Sequence, residues 1–254
     1  MARRGRLVVA NWKMHPGALQ EARRLFSSIA RRIRRVRGVQ VVVCPPALYL
    51  SELVRSYRGA NIRFGAQDVS WHAGIGAYTG ELSAMMLKRI GAGHVIVGHS
   101  ERRAMGESDK TVSTKVKAAL DAGLAPILCV GEEERDHEGG YLSQLEWQLT
   151  ASLDGVPRTQ ASRLVVAYEP VWAIGKRAQS AVTPRLLHET VIFVKKILSK
   201  KYGRVVGMKV PILYGGSVEG TNAGALSREG AVDGFLVGHA SLSVRDFVSI
   251  VKAC

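Results

Sequence analysis

The stretch VVAYEPVWAIG (residues 165–175) decides how this chain is read. Its first four residues, Val165 to Tyr168, form an apolar, β-favouring run of the kind found in a buried strand. Glu169 stands where that strand must stop, because Pro170 has no N–H to donate to a continuing ladder. A carboxylate at the end of a buried strand is costly to desolvate, which makes it a stronger base than an exposed one. The next residues begin rigid at Pro170 and end flexible at Gly175, the pattern of a hinged flap. Alone, the stretch fits equally a solvated acid in an ordinary loop; the rest of the chain separates the two.

Working outward, apolar runs also occur at 7–10, 39–43, 61–66, 94–97, 125–130, 210–214 and 234–237. They are continuous rather than alternating, which predicts strands buried on both faces of a parallel sheet. Helical patterns fall between them at 23–37, 47–57, 81–90, 110–122, 142–153 and 184–201, with a short one after Val218 and a last one over 243–251. Thr183 followed by Pro184 reads as an N-cap with proline at the first helical position. Eight strand–helix units in 254 residues predict one domain, a closed (β/α)8 barrel of eight parallel strands. Polar or glycine-rich turns follow seven of those strands, and in this architecture they share one rim, where active sites are built.

Composition narrows the setting. The chain is 46% hydrophobic, yet no apolar run approaches the roughly 18 residues of a membrane span. The basic start is followed by an apolar run too short for a signal peptide, so a cytoplasmic protein without a membrane partner is expected. Cys44, Cys129 and Cys254 lack disulfide or metal spacing, which suits free thiols in a reducing compartment, and no metal site is expected. The net charge is +15, much of it in RRLFSSIARRIRRVR (23–37), where Leu25, Phe26, Ile29, Ile33 and Val36 recur at helical spacing. That pattern is an amphipathic helix whose basic outer face reads as solvated. No zinc finger, RNP motif or KH loop is present, so no specific nucleic-acid partner is expected. A polyanion-binding role stays as an alternative that salt-dependent binding would distinguish.

The segments ANWKM (10–14), GAYTGE (76–81), VIVGHSERR (95–103), PILCVGE (126–132), AYEPVWAIG (167–175), LYGGSV (213–218) and DGFLVG (233–238), in this order, resemble the triosephosphate isomerase family. The similarity covers nearly the whole chain. It implies a cofactor-free isomerase that interconverts dihydroxyacetone phosphate and glyceraldehyde 3-phosphate through an enediolate, in glycolysis and gluconeogenesis. Glu169 would be the base and a neutral His99 the electrophile. Lys13, positioned by Asn11, would steady the developing charge. Gly175, Gly216, Ser217, Gly238 and His239 would hold the phosphate, with Glu101, Cys129, Glu132, Trp172 and Tyr214 in support. Trp172 would meet Glu132 in one state of the flap and Tyr214 would latch the other. The long loop 67–80 resembles the family's dimer loop, with Thr79, Gly80 and Glu81 reaching a partner barrel in a homodimer.

Beside a loop after Glu132 (EEERDHEGG, 132–140) that looks short, three departures from the family pattern stand out. The segment between Gly175 and Pro184 is about two residues longer than usual, His239 replaces a glycine, and Lys195 replaces an arginine expected to pair with Asp233. A Schiff-base aldolase on the same barrel is the alternative enzyme, with Lys13 or Lys209 as its lysine.

Overall fold

The computed structural model describes residues 5–136, 138–175 and 182–254. The longer segment expected after Gly175 lies largely outside them. Eight strands form one closed, all-parallel barrel in sequence order. They are β1 (Arg6–Asn11), β2 (Val39–Cys44), β3 (Ile62–Ala66), β4 (His94–Val97), β5 (Ala125–Val130), β6 (Val165–Tyr168), β7 (Ile212–Tyr214) and β8 (Gly234–Val237). The helices between them are α1 (Leu19–Ile33), α2 (Ala47–Ser56), α3 (Ala84–Arg89), α4 (Ser100–Ala104), α5 (Asp109–Asp121), α6 (Gly140–Ser152), α7 (Pro184–Tyr202), α8 (Arg204–Gly207), α9 (Ala223–Glu229) and α10 (Val244–Ala253).

Alternation along each strand builds two apolar layers. Val9, Val42, Cys44, Ile96, Ile127, Cys129, Ala167, Leu213 and Leu236 fill the barrel interior. Their neighbours Val8, Val41, Val43, Val95, Leu128, Val166 and Phe235 face the helices, where Phe26, Ile29, Leu50, Val116 and Phe247 cover them. This double burial is why the strands read as continuous apolar runs. The seam between β8 and β1 depends on Gly234, whose φ is +152°. A Cβ there would lie 1.8 Å from the Leu7 carbonyl oxygen, so only glycine lets the strands approach.

Several boundaries differ from the sequence expectation for local reasons. The basic helix occupies Leu19–Ile33 rather than 23–37, leaving Arg34, Arg35 and Arg37 beyond its end. α3 starts at Ala84 because Ser83 caps it, its hydroxyl accepting the Met86 N–H at 3.2 Å. β7 begins after Pro211, which has no N–H for the ladder. α4 and α8 are too short to leave a periodic signature. Thr183 does cap α7, accepting the Leu186 N–H at 3.3 Å.

At β7, Lys195 takes the place expected of an arginine. Its Nζ donates to the carbonyls of Val210 at 2.5 Å and Met208 at 3.0 Å and lies 3.7 Å from Asp233 Oδ2. A point-like ammonium is thus spread over carbonyls instead of making a two-pronged bond to the carboxylate.

His94 opens β4 at the end of the barrel where the strands begin, and its Nδ1 is buried without a hydrogen-bond partner among the described residues. Burial, then the nearby Arg63 and Lys88, lowers its pKa from 6.5 to about 4. The unfolded chain therefore takes up this proton between pH 6.5 and 4 while the folded chain does not. This contribution to stability is complete above pH 6.5 and is lost on acidification, at most on the order of 3 kcal/mol. Denaturant unfolding of His94→Gln against wild type from pH 7 to 4 should show a flatter pH dependence in the variant.

Candidate active site

The carboxyl ends of the strands carry the residues singled out from the sequence. Glu169 follows β6 and is 2% exposed. Its backbone N–H donates to Val130 O at 2.8 Å, so the ladder to β5 continues one residue past the strand and fixes the side chain's root. Oε2 accepts the Ser100 N–H at 3.0 Å, and Oε1 lies 3.4 Å from His99 Nε2. Gly131 makes this approach possible: a Cβ there would sit 1.8 Å from the Glu169 carbonyl oxygen.

His99 caps α4, its Nδ1 accepting the Glu101 N–H at 3.2 Å. That bond occupies the Nδ1 lone pair and leaves the ring proton on Nε2, the nitrogen facing Glu169. The first turn of α4 thus orients the ring through a specific hydrogen bond, with the Glu101 carboxylate 3.7 Å from Nδ1.

Asn11 ends β1 and is buried; its Oδ1 accepts the Lys13 N–H at 3.0 Å. Lys13 has a φ of +51°, a strained value for a residue with a side chain. Gln67 holds that turn, its Nε2 donating to Lys13 O at 2.7 Å and Cys44 O at 2.9 Å. Lys13 Nζ meets Glu101 Oε1 at 2.5 Å. The cation expected past β1 therefore has its anion, and the acid is the one the sequence singled out. Lys209 precedes β7 at the opposite end of the barrel, so of the two lysines considered for Schiff-base chemistry only Lys13 reaches this rim.

Asn11, Lys13, His99 and Glu169 line a cavity of about 510 Å³ together with Gly175, Gly216, Ser217, Gly238 and His239. Every catalytic and phosphate-binding candidate thus faces one space. Gly238 packs so close to Lys13 that an added Cβ would lie 3.3 Å from its Cε. His239 begins a short 3₁₀ turn, His239–Leu242, and is not among the residues of positive φ. A side chain is therefore tolerated where a glycine was expected. Ser217 Oγ donates to Ala173 O at 3.0 Å, tying the β7 turn to the flap's first residues.

The supporting residues cluster behind this rim. Glu132, fully buried after β5, accepts the Tyr168 hydroxyl at 2.7 Å and the Trp172 indole N–H at 2.9 Å. The Tyr214 hydroxyl is buried beside the Val182 amide, and no described group completes a hydrogen bond to it. Cys129 lies in the barrel interior below Glu169; burial, reinforced by that carboxylate's charge, pushes its thiol well above the usual range. Thr79, Gly80 and Glu81 are exposed and are not among the residues that line this cavity. Glu81 comes from a different loop than the acid that holds Lys13.

Two connections escaped the sequence reading. Gln67 clamps Lys13, and the buried Lys115 ammonium joins Asp68 at 2.6 Å and Glu107 at 2.5 Å, anchoring the loop after β3 to α5. Lys115 looks like a surface residue of a lysine-rich helix; its acidic partners Asp68 and Glu107, brought to it by the fold, make burial tolerable.

A family model for triosephosphate isomerase matches residues 6–254. The chain belongs to the triosephosphate isomerase family. Triosephosphate isomerase from Carboxydothermus hydrogenoformans is 42% identical over 247 residues, spanning 96% of this chain and 97% of the relative. The enzyme of that name from Xanthomonas axonopodis pv. citri is 44% identical over 255 residues, 98% of each. The crystal structure of triosephosphate isomerase from Bartonella henselae superposes with a TM-score of 0.83 at 38% identity, covering 98% of both chains. This triosephosphate isomerase family member is therefore an isomerase on the family's barrel.

Gly131→Ala should displace the Glu169 backbone. We expect at least a tenfold loss of kcat and about 1–3 kcal/mol of destabilisation from overpacking, read by isomerase assay and thermal unfolding.

Proposed function

We propose that the chain interconverts dihydroxyacetone phosphate and D-glyceraldehyde 3-phosphate without a cofactor, as a single barrel domain. The observation that carries this reading is the convergence of Glu169, His99, Lys13 and a glycine-rich anion cradle on one cavity. Isomerisation requires a base for a carbon acid, a proton donor for the neighbouring oxygens, and a hold on the phosphate.

In this reading the Glu169 carboxylate leaves the Ser100 N–H and takes a proton from one substrate carbon. The electrons of that C–H bond form the C=C bond of the enediolate, and the carbonyl oxygen gains the charge. His99 donates its Nε2 proton to that oxygen and recovers one from the other, while Glu169 returns its proton to the adjacent carbon. A neutral ring suits this shuttle because Nδ1 is already committed to the Glu101 N–H. Lys13 carries positive charge toward the developing enediolate, and Asn11 fixes its backbone. Backbone N–H groups around Gly175, Gly216, Ser217, Gly238 and His239 receive the phosphate.

The flap beginning at Pro170 closes over the bound phosphate and excludes water from the enediolate. The Trp172–Glu132 bond represents one position of the flap, and the Tyr214 hydroxyl, buried beside the Val182 amide, would latch the other. The enzyme name of the relatives implies a place in glycolysis and, by reversal, gluconeogenesis, in the cytoplasm. No described helix is long and apolar enough to cross a membrane.

A homodimer belongs to the same reading. Trp71, Ile75, Tyr78 and Leu82 on the loop after β3 are exposed, as is Met14 beside Lys13. So many apolar groups near one rim are better explained by burial against a second copy than by solvent exposure. The loop would then bring Thr79 to the partner's Asn11–Lys13 turn.

Purified protein given glyceraldehyde 3-phosphate in a coupled reduction assay should show isomerase activity. Glu169→Gln should lower kcat by about 10²–10⁴, the range for loss of a general base; a loss under tenfold would remove Glu169 from that role. In size-exclusion with light scattering, wild type should run as a dimer and Ile75→Asp should shift toward monomer.

A further inference from the structure

The isomerase chemistry leaves the arginine run unexplained. Residues 31–63 contain eight arginines and a single acid, Glu52. Glu52 pairs with Arg23 at 2.8 Å and lies 4.0 Å from Arg55. Arg31, Arg32, Arg34, Arg35, Arg37, Arg58 and Arg63 are all exposed.

The fold gathers these side chains at one place. Helices in this barrel run back from the active-site rim, so the end of α1 and the starts of β2 and β3 lie at the opposite end. Asn61, just before β3, donates to Ile33 O at the end of α1 at 3.2 Å, and the Arg6 N–H donates to Gly38 O at 2.8 Å. Phe26 packs on both Tyr57 and Phe64, fixing α1 against the turn that carries Arg58. The arginines after α1, before β3 and on β3 therefore form one basic patch, turned away from the substrate cavity.

Helix polarity explains part of the pattern. Arg31 and Arg32 occupy the last turn of α1, where cations complement the helix carbonyls. It does not explain Arg37, Arg58 or Arg63, which lie in connections or on a strand. Arg63, with Lys88, adds to the burial of the ring nitrogen in keeping His94 neutral, a sign of the positive potential there.

We propose that this patch is a docking surface for the phosphodiester backbone of nucleic acid, bound without regard to sequence. Arginine forks suit phosphate oxygens. Residues 31–63 offer no exposed aromatic ring on which a base could stack, which favours backbone contact over base readout. A lipid surface fits less well: the exposed large apolar residue of this stretch, Leu48, sits at the other end of α2, so nothing beside the arginines enters a bilayer.

The test is fluorescence anisotropy with the full-length protein, using two 30-base-pair DNA duplexes of unrelated sequence, from 50 to 200 mM salt. Similar affinity for both and a steep salt dependence are expected. Arg34→Glu/Arg35→Glu/Arg37→Glu should weaken binding at least tenfold and lower the salt slope by about 3, near 0.9 per lost phosphate contact. Its isomerase kcat/KM should be unchanged. Lys196→Glu/Lys200→Glu/Lys201→Glu, the same charge change on α7, should have a smaller effect. The proposal fails if no duplex binds at 50 mM salt, if both triple variants weaken binding equally, or if phosphatidylserine vesicles bind more tightly than DNA.

Discussion

Two carboxylates buried at the ends of neighbouring strands govern this structure. Glu132 and Glu169 are 0% and 2% exposed, and an unpartnered charge in either place would be severely destabilising. The chain answers with donors drawn from elsewhere on the rim. Glu132 takes a tyrosine hydroxyl from β6 and an indole N–H from the flap. Glu169 takes a backbone amide from the first turn of α4. These bonds join the ends of β4, β5 and β6 to the short turn at Val171–Ala173. Because Glu169 and His99 also line the cavity, a ligand there can compete for the carboxylate. Glu132 has no such freedom while Trp172 stays in place.

The same logic organises the charges around Lys13. Its turn is strained, and the strain persists because Asn11 and Gln67 grip its amide and carbonyl. The ammonium then reaches Glu101, whose own amide caps the ring of His99. One residue thus supplies a side chain to the lysine and a backbone donor to the histidine. The positions of the two cavity-facing groups are coupled through it, although they come from different strands.

Much of this was legible in the sequence because the barrel's demands are local. Strands buried on both faces leave continuous apolar runs, and β4, β5, β6 and β8 begin and end where those runs do. Glu169, His99, Lys13 and Asn11 stand at or within two residues of strand ends, where turn chemistry and motif order draw attention. What stayed hidden depends on residues that meet only through folding. Nothing near Lys115 in sequence indicates that it is buried, since Asp68 lies 47 positions away. Gln67 reads as the first polar residue of a long loop, and its clamp on Lys13 spans 54 positions. The ends of α1 misled because its arginines continue past the last helical turn. His239 invited doubt as a glycine replacement, yet its backbone angles needed no glycine.

The seam at Gly234 has a consequence for how the chain assembles. It joins the first strand to the last, pairing Leu7 with Gly234 and Ala10 with Val237. Ring closure therefore waits for β8, and the entropy of the long loop between β1 and β8 is recovered only when they pair. On a ribosome, the nascent polypeptide would emerge with an open, curved sheet whose two free edges stay unsatisfied until β8 has been made.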